Sequence, residues 1–237
     1  MQKSIVFVVL ATLNFIFSTA VVAKKPQDKP EETPFVSTCI NNPKLQQARS
    51  LELKKLVAAD QKCRTSKNGE MADANKIDWS KVTKQDLARR KRVGEIFGEG
   101  CLKSPEDYLA AALIYQHGDV PDHYYQTYIW ANHAAELGEK EAKSLAAKAI
   151  DRYLVHIGKK QLFGTQYSST SPKDWCYCMS QVEPSFPDDL RKEYLGQPLD
   201  EYSRDHFAMF NKGKNCPNVE CSKNLKPTPK GTVPGLW

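Results

Sequence analysis

The chain has 237 residues, with 34 Lys+Arg against 28 Asp+Glu for a formal net charge of +6, and seven cysteines. That length suits one large domain or a domain with an appendage. The mild basicity allows a loose attraction to anionic envelope surfaces but lacks the clustered charge of a nucleic-acid-binding protein.

Residues 1–23 have the three parts of a secretory signal: Lys3, an apolar run over 5–17 broken only by Thr12 and Asn14, and the small residues Val21, Val22 and Ala23. Cleavage after Ala23 predicts export to the periplasm or beyond the cell. An uncleaved anchor is the rival, since a span needs about 20 residues, but Thr12, Asn14, Ser18 and Thr19 interrupt it. No later segment approaches a membrane span, so no stable insertion is expected after cleavage. Residues 24–42 read as a flexible lead, rich in Lys, Pro, Glu and Asp over 24–34.

In an oxidising compartment, disulfides are the default for Cys39, Cys63, Cys101, Cys176, Cys178, Cys216 and Cys221. A bridge within Cys176-Tyr177-Cys178 would be strained, which predicts crosswise bridges from that pair to Cys216 and Cys221. The odd total leaves at least one thiol unpaired within the chain. A four-cysteine zinc site competes, but its first spacing has one intervening residue instead of the usual two to four. No metal site and no cofactor is expected; His117, His123, His133, His156 and His206 show no ligand spacing.

Asn42 and Pro43 signal a helix start, and Leu53, Leu56, Val57 and Asp60 carry it to about residue 64. Residues 67–79 read as a polar connection. Thr83 with Asp86 resembles a capping box opening a second helix through residue 97, ended by Gly98 and Gly100. The run Arg89-Arg90-Lys91-Arg92 points around most of a helical wheel and reads as a solvated stretch, with Asp86 and Glu95 as partners of Arg89 and Arg92.

Ser104-Pro105-Glu106-Asp107 is the clearest helix start, and the apolar run after it predicts burial on nearly every side. Gln116 and His117 continue apolar faces of that helix, which Gly118 ends. Asp122 caps a fourth helix bearing Tyr124, Tyr125, Tyr128 and Trp130, ended by Gly138. A fifth, over 139–157, holds the helical spacing from Ala142 through Leu145, Ala146, Ala149, Ile150, Tyr153 and Leu154 to Ile157. Asp151 and Arg152 flank that stripe. Residues 168–171 read as a loop, 188–196 as a short helix and 198–210 as a further possible one. Eight of fourteen prolines lie from Pro172 onward, so the remainder is expected to be irregular and pinned by Cys216 and Cys221.

The polar residues interrupting these helices form an ordered array: Gln116-His117, then Asp151-Arg152, then Gln161 with Gly164-Thr165-Gln166. The array resembles a widespread family of bacterial domains of unknown function with QH, DR and Gln-x-[Tyr/Phe]-Gly-Thr-Gln motifs. Weaker echoes at Asp60-Gln61 with Arg64, and at Asp189-Leu190-Arg191 with Leu195-Gly196, extend the resemblance over about 51–202. It implies shared polar positions at Gln116, His117, Asp151, Arg152, Gln161, Thr165 and Gln166, but no reaction. The alanine-rich stretch 111–151 is similar to a single Sel1-like or tetratricopeptide hairpin; one unit is too few for a solenoid.

These readings give a mainly α chain: signal 1–23, lead 24–42, a compact bundle of about five helices over 43–167, and a disulfide-supported extension over 168–237. The leading function is an exported binding or interaction module whose partner is another envelope or extracellular protein, the Tyr-rich helix being suited to such a surface. The alternative is a hydrolase-like enzyme in which Asp151 orients His117 as a general base, while Arg152, Gln116, Gln161, Gly164, Thr165 and Gln166 hold an anionic ligand. Against both stands a buried network that pins the Gly164 loop to the bundle. No HExxH, GxSxG, P-loop or Rossmann fingerprint is present.

Overall fold

The structure is a computed structural model and describes residues 38–65, 76–169, 176–216, 220–221 and 224–237. The signal, most of the lead and the connection over 66–75 lie outside the described residues. The fold is mainly α. Among the described residues there are five bundle helices, α1 (Pro43–Lys62), α2 (Trp79–Gly98), α3 (Pro105–Tyr115), α4 (Pro121–Glu136) and α5 (Ala142–His156). Two more, α6 (Asp188–Leu195) and α7 (Leu199–Phe210), bring the total to seven. None is long and apolar enough to cross a membrane.

Helix α3 is the axis of the bundle. Ser104 accepts from the Asp107 N–H and Asp107 accepts back from Ser104, so both bonds of a capping box form. The helix then packs on α1, α2, α4 and α5, burying Ala110, Ala111, Ala112 and Ile114. Small alanines let these helices approach closely. α5 lies along α4 with Ala142, Leu145, Ala146, Ala149, Ile150 and Leu154 buried, and each fully buried Ile or Leu contributes about 1.5–3 kcal/mol.

Several expected details shift. α2 begins at Trp79 under an Asp78 cap, so Thr83 and Asp86 are not a capping box: Thr83 donates to the Trp79 carbonyl and Asp86 holds arginines. Val120, not Asp122, precedes α4, because Pro121 takes its first position. α5 starts at Ala142 after a turn in which Gly138 adopts φ +113°. Gly118 is required by close approach: a Cβ there would lie 2.2 Å from that of His123. Tyr124, Tyr128 and Trp130 of α4 are buried in the bundle, while Tyr125 beside them is only partly covered.

The extension is largely irregular but packed. Residues 168 and 169, expected in a loop, belong to β1 (Tyr167–Ser169), which pairs antiparallel with β2 (Tyr177–Met179) and sets Ser168 against Cys178. Tyr167 turns onto Phe207 and Phe210 of α7. Cys176–Cys216 and Cys178–Cys221 are the crosswise bridges, which removes the zinc reading; Cys39–Cys101 ties the start of the described chain to the α2–α3 connection, and Cys63 is free. Three disulfides fit an oxidising, extracytoplasmic environment. The stretch over 224–237 is held by Thr228, whose N–H donates to Glu183 and whose hydroxyl donates to the Lys160 carbonyl in the loop after α5, and by Trp237, whose indole N–H donates to the Thr228 carbonyl.

Candidate functional site

The site grows from charges buried between α1 and α2. Asp60, in the last turn of α1, and Arg64, in the turn just past its end, stand four residues apart, and on α2 Asp86 and Arg89 stand one turn apart, so local spacing alone pairs each acid with a base. Packing α1 on α2 joins the pairs. Asp60, 1% exposed, receives Arg64 Nη1 at 2.9 Å, with Arg89 Nε at 3.4 Å; Asp86 receives Arg64 Nη2 at 2.6 Å and Arg89 Nη2 at 2.5 Å. Gln61 donates to Asp60 as well. Burial would push the Asp60 carboxyl up, but His117 and the two guanidiniums outweigh it and hold the group below the usual carboxylate range.

Beside this cluster α3 ends, and its last carbonyls point outward without helical partners. Two arginines cap them. Arg152 Nη1, from α5, donates to the Gln116 carbonyl at 2.8 Å, and Arg90 Nη1, from α2, to the His117 carbonyl at 2.8 Å. Positive charge here also complements the negative end of the α3 dipole. Arg90 Nη2 reaches Asp119 at 3.2 Å, and Tyr124 donates to the Gly118 carbonyl while its ring lies under Arg152. Burial pulls the Arg152 guanidinium down from its ordinary value, and among the described residues no carboxylate lies within ion-pair distance of it. Burial and Arg90 likewise lower His123, consistent with its Nδ1 accepting the Asp119 N–H.

These elements enclose an open cavity of about 280 Å³. Arg64 enters from the turn after α1, Trp79, Asp86 and Arg90 from α2, Gln116, His117 and Asp119 from the end of α3, and Arg152 from α5. His117 Nε2 is buried, 3.3 Å from Asp60 Oδ2, with no better-aligned partner. Three groups in the lining carry no hydrogen bond among the described residues and are not buried: His117 Nδ1, the Gln116 side-chain amide and Arg152 Nη2.

Of the residues singled out in the sequence, the cavity therefore gathers Gln116, His117 and Arg152. Asp151 is elsewhere. It is fully buried and faces the loop after α5, accepting from the N–H groups of Leu162, Phe163 and Thr165 and from the Thr165 hydroxyl at 2.7–3.2 Å. Burial pushes its carboxyl above the ordinary value by more than those four donors pull it back; all four neighbours are donors, and only the ionised form can accept from all of them. The carboxylate at His117 is Asp60. Helix pairing suggested Asp151, but both of its oxygens are taken by the loop.

Gln161 completes the lock, accepting the Gln166 N–H at 2.7 Å and donating to the Ser180 carbonyl at 2.6 Å. Gly164 adopts φ +83° beneath Leu199, whose Cδ1 would lie 2.5 Å from an added Cβ. Gln161, Gly164 and Thr165 thus hold the loop and do not line the cavity. Gln166 links the two regions: Arg152 Nε approaches its Oε1 at 3.4 Å, and its amide donates to the Lys148 carbonyl. Gly164→Ala should cost about 2 kcal/mol from left-handed strain and overpacking, read as a lower urea midpoint.

Arg90, Asp86 and Arg89 were read as solvated or as local partners; the pairs with Asp86 and Glu95 form, but Arg89 and Arg90 are buried. The signal available for them was the recurrence of acid and base one helical turn apart on two consecutive helices. Among the described residues no group of His, Cys, Asp and Glu is arranged to hold a metal ion. No family model, no curated protein and no solved structure matches the chain.

Proposed function

We propose that the protein is an exported binding protein whose ligand is small and anionic, taken into the cavity at the end of α3. One observation carries this reading: Arg152, a largely desolvated guanidinium with no carboxylate partner among the described residues, lines the cavity beside Gln116 and His117, and its Nη2, the Gln116 amide and His117 Nδ1 carry no hydrogen bond among the described residues. A guanidinium removed from water without a counter-charge is costly, and a bound carboxylate or phosphate oxygen would supply one through a charge-assisted bond. The burial of Tyr124, Tyr128 and Trp130 favours a cavity ligand over a partner docked on α4.

The test is a thermal-shift titration of the disulfide-bonded protein with acetate, citrate and inorganic phosphate. At least one anion should raise the melting temperature at low ionic strength, and Arg152→Ala should weaken that binding about tenfold or more, the worth of one charge-assisted bond. No stabilisation by any of them, or stabilisation unchanged in Arg152→Ala, would overturn the reading.

A hydrolase-like second reading is favoured by the Asp60–His117 pair, in which a buried carboxylate stands beside an imidazole that lines the cavity and whose other nitrogen carries no hydrogen bond among the described residues. The residue roles then differ from those expected from sequence, with Asp60 in place of Asp151. No hydroxyl or thiol in the lining stands ready as a nucleophile, since the Thr83 hydroxyl donates to the Trp79 carbonyl.

A further inference from the structure

We infer that the ligand is a zwitterion, a free α-amino acid or a molecule with the same adjacent carboxylate and ammonium, with its carboxylate toward Arg152 and Gln116 and its ammonium toward Asp119. This rests on the anion-binding reading of the same cavity and narrows it.

The charge around the cavity is nearly balanced. Arg64, Arg90 and Arg152 line it with Asp86 and Asp119, and Arg89 and Asp60 stand behind them, so four guanidiniums face three carboxylates. The surplus is one positive charge. The cavity also lies against the C-terminal end of α3, where the helix dipole places roughly half a negative charge. A phosphate dianion would bring far more negative charge than the cavity balances, whereas a single carboxylate comes closer to it.

The donors agree with this. The groups left without a hydrogen bond among the described residues are Arg152 Nη2, one amide and one imidazole nitrogen. They suit the two oxygens of a carboxylate and fall short of the donor set three phosphate oxygens require. The carbonyl end of α3 borders the cavity through Gln116, His117 and Gly118.

That carbonyl end gives the second half of the argument. Asp119 Oδ1 is engaged by Arg90, but Oδ2 has no partner among the described residues, and the side chain is 63% exposed on the cavity rim. The Gln116 and His117 carbonyls each accept one arginine N–H and retain a second lone pair. An acceptor-rich rim beside an open guanidinium edge is a cavity with two poles, and a simple anion uses only one of them. Trp79 adds apolar wall for the remaining body of the ligand.

The experiment is saturation-transfer NMR on the full disulfide-bonded protein with three probes in turn: an equimolar mixture of the common L-amino acids, the same mixture N-acetylated, and the same mixture as C-terminal amides, with acetate as a reference read the same way and inorganic phosphate as a reference read by its ³¹P line width. At least one free amino acid should bind, and either cap should weaken it about tenfold or more. Asp119→Asn should weaken the free amino acid about tenfold and leave any residual binding of the N-acetylated form unchanged; its exposure makes misfolding an inadequate explanation. Equal binding of the N-acetylated mixture, or binding of acetate or phosphate but of no amino acid, would overturn the zwitterion while leaving the anionic reading standing. Binding of none of the five probes would overturn both.

Discussion

Asp151→Asn is expected to destabilise the fold by about 3–4 kcal/mol and to lower the melting temperature by roughly 10 °C for a domain of this size. The carboxylate accepts four donors from a single loop, with nothing but donors around it and no exposure to water. An Asn amide keeps one acceptor oxygen and must turn its NH₂ toward N–H groups that then have neither partner nor solvent. Thr165→Val, which removes only the hydroxyl, should cost about 1–2 kcal/mol. Equal effects of the two substitutions would mean that the loop is held mainly by Gln161 and the Gly164 packing. Because Gln166 follows Thr165 and approaches Arg152, Asp151→Asn should also weaken whatever the cavity binds.

The second large effect is expected at Asp60. Asp60→Asn leaves Arg64 and Arg89 buried with Asp86 as their only remaining carboxylate, at a cost of about 3–5 kcal/mol. Its pH dependence has a definite sign. The folded carboxyl is held below its ordinary value, net of burial, by His117, Arg64 and Arg89, so the native state binds fewer protons than the unfolded chain. Asp60 therefore adds stability that is complete above the unfolded Asp value of about 3.9 and is lost as pH falls through the lower folded value. Urea unfolding from pH 6 down to pH 2.5 should give a steeper acid limb for the wild type than for Asp60→Asn. Parallel limbs would mean that the cluster does not depress Asp60.

Much of the scaffold was legible because local rules and packing agree. The capping box at Ser104, the alanine and leucine stripe of α5, the crosswise bridges to Cys216 and Cys221, and the two helices after Pro187 each follow from spacing or residue type. Misreadings arose where tertiary contacts override local appearance. Arg89 and Arg90 look solvated on a helical wheel, yet the packing of α1 and α3 against α2 buries both. Thr83 and Asp86 have capping-box spacing, yet Asp78 caps α2 five residues earlier.

For the site, sequence named Gln116, His117 and Arg152 but assigned the wrong carboxylate to the histidine. Asp151 and Arg152 are adjacent on α5 and point to different sides, one into the loop and one into the cavity, a divergence that helix geometry imposes on neighbouring residues. Asp60 and Arg64 were visible only as a weak motif some fifty residues earlier in the chain. Their role depends on α1 being brought across the end of α3, which no local pattern announces.

The most direct test of the cavity as a small-anion site is a ¹H–¹⁵N NMR titration of the disulfide-bonded protein with acetate at low ionic strength. Shifts confined to the backbone amides of Gln116, His117, Gly118 and Asp119 and to the Arg152 side chain, lost in Arg152→Ala while the remaining spectrum is unchanged, are the predicted result. Shifts scattered over the surface lysines, or identical shifts in Arg152→Ala, would contradict it and leave the polar array as a structural lock.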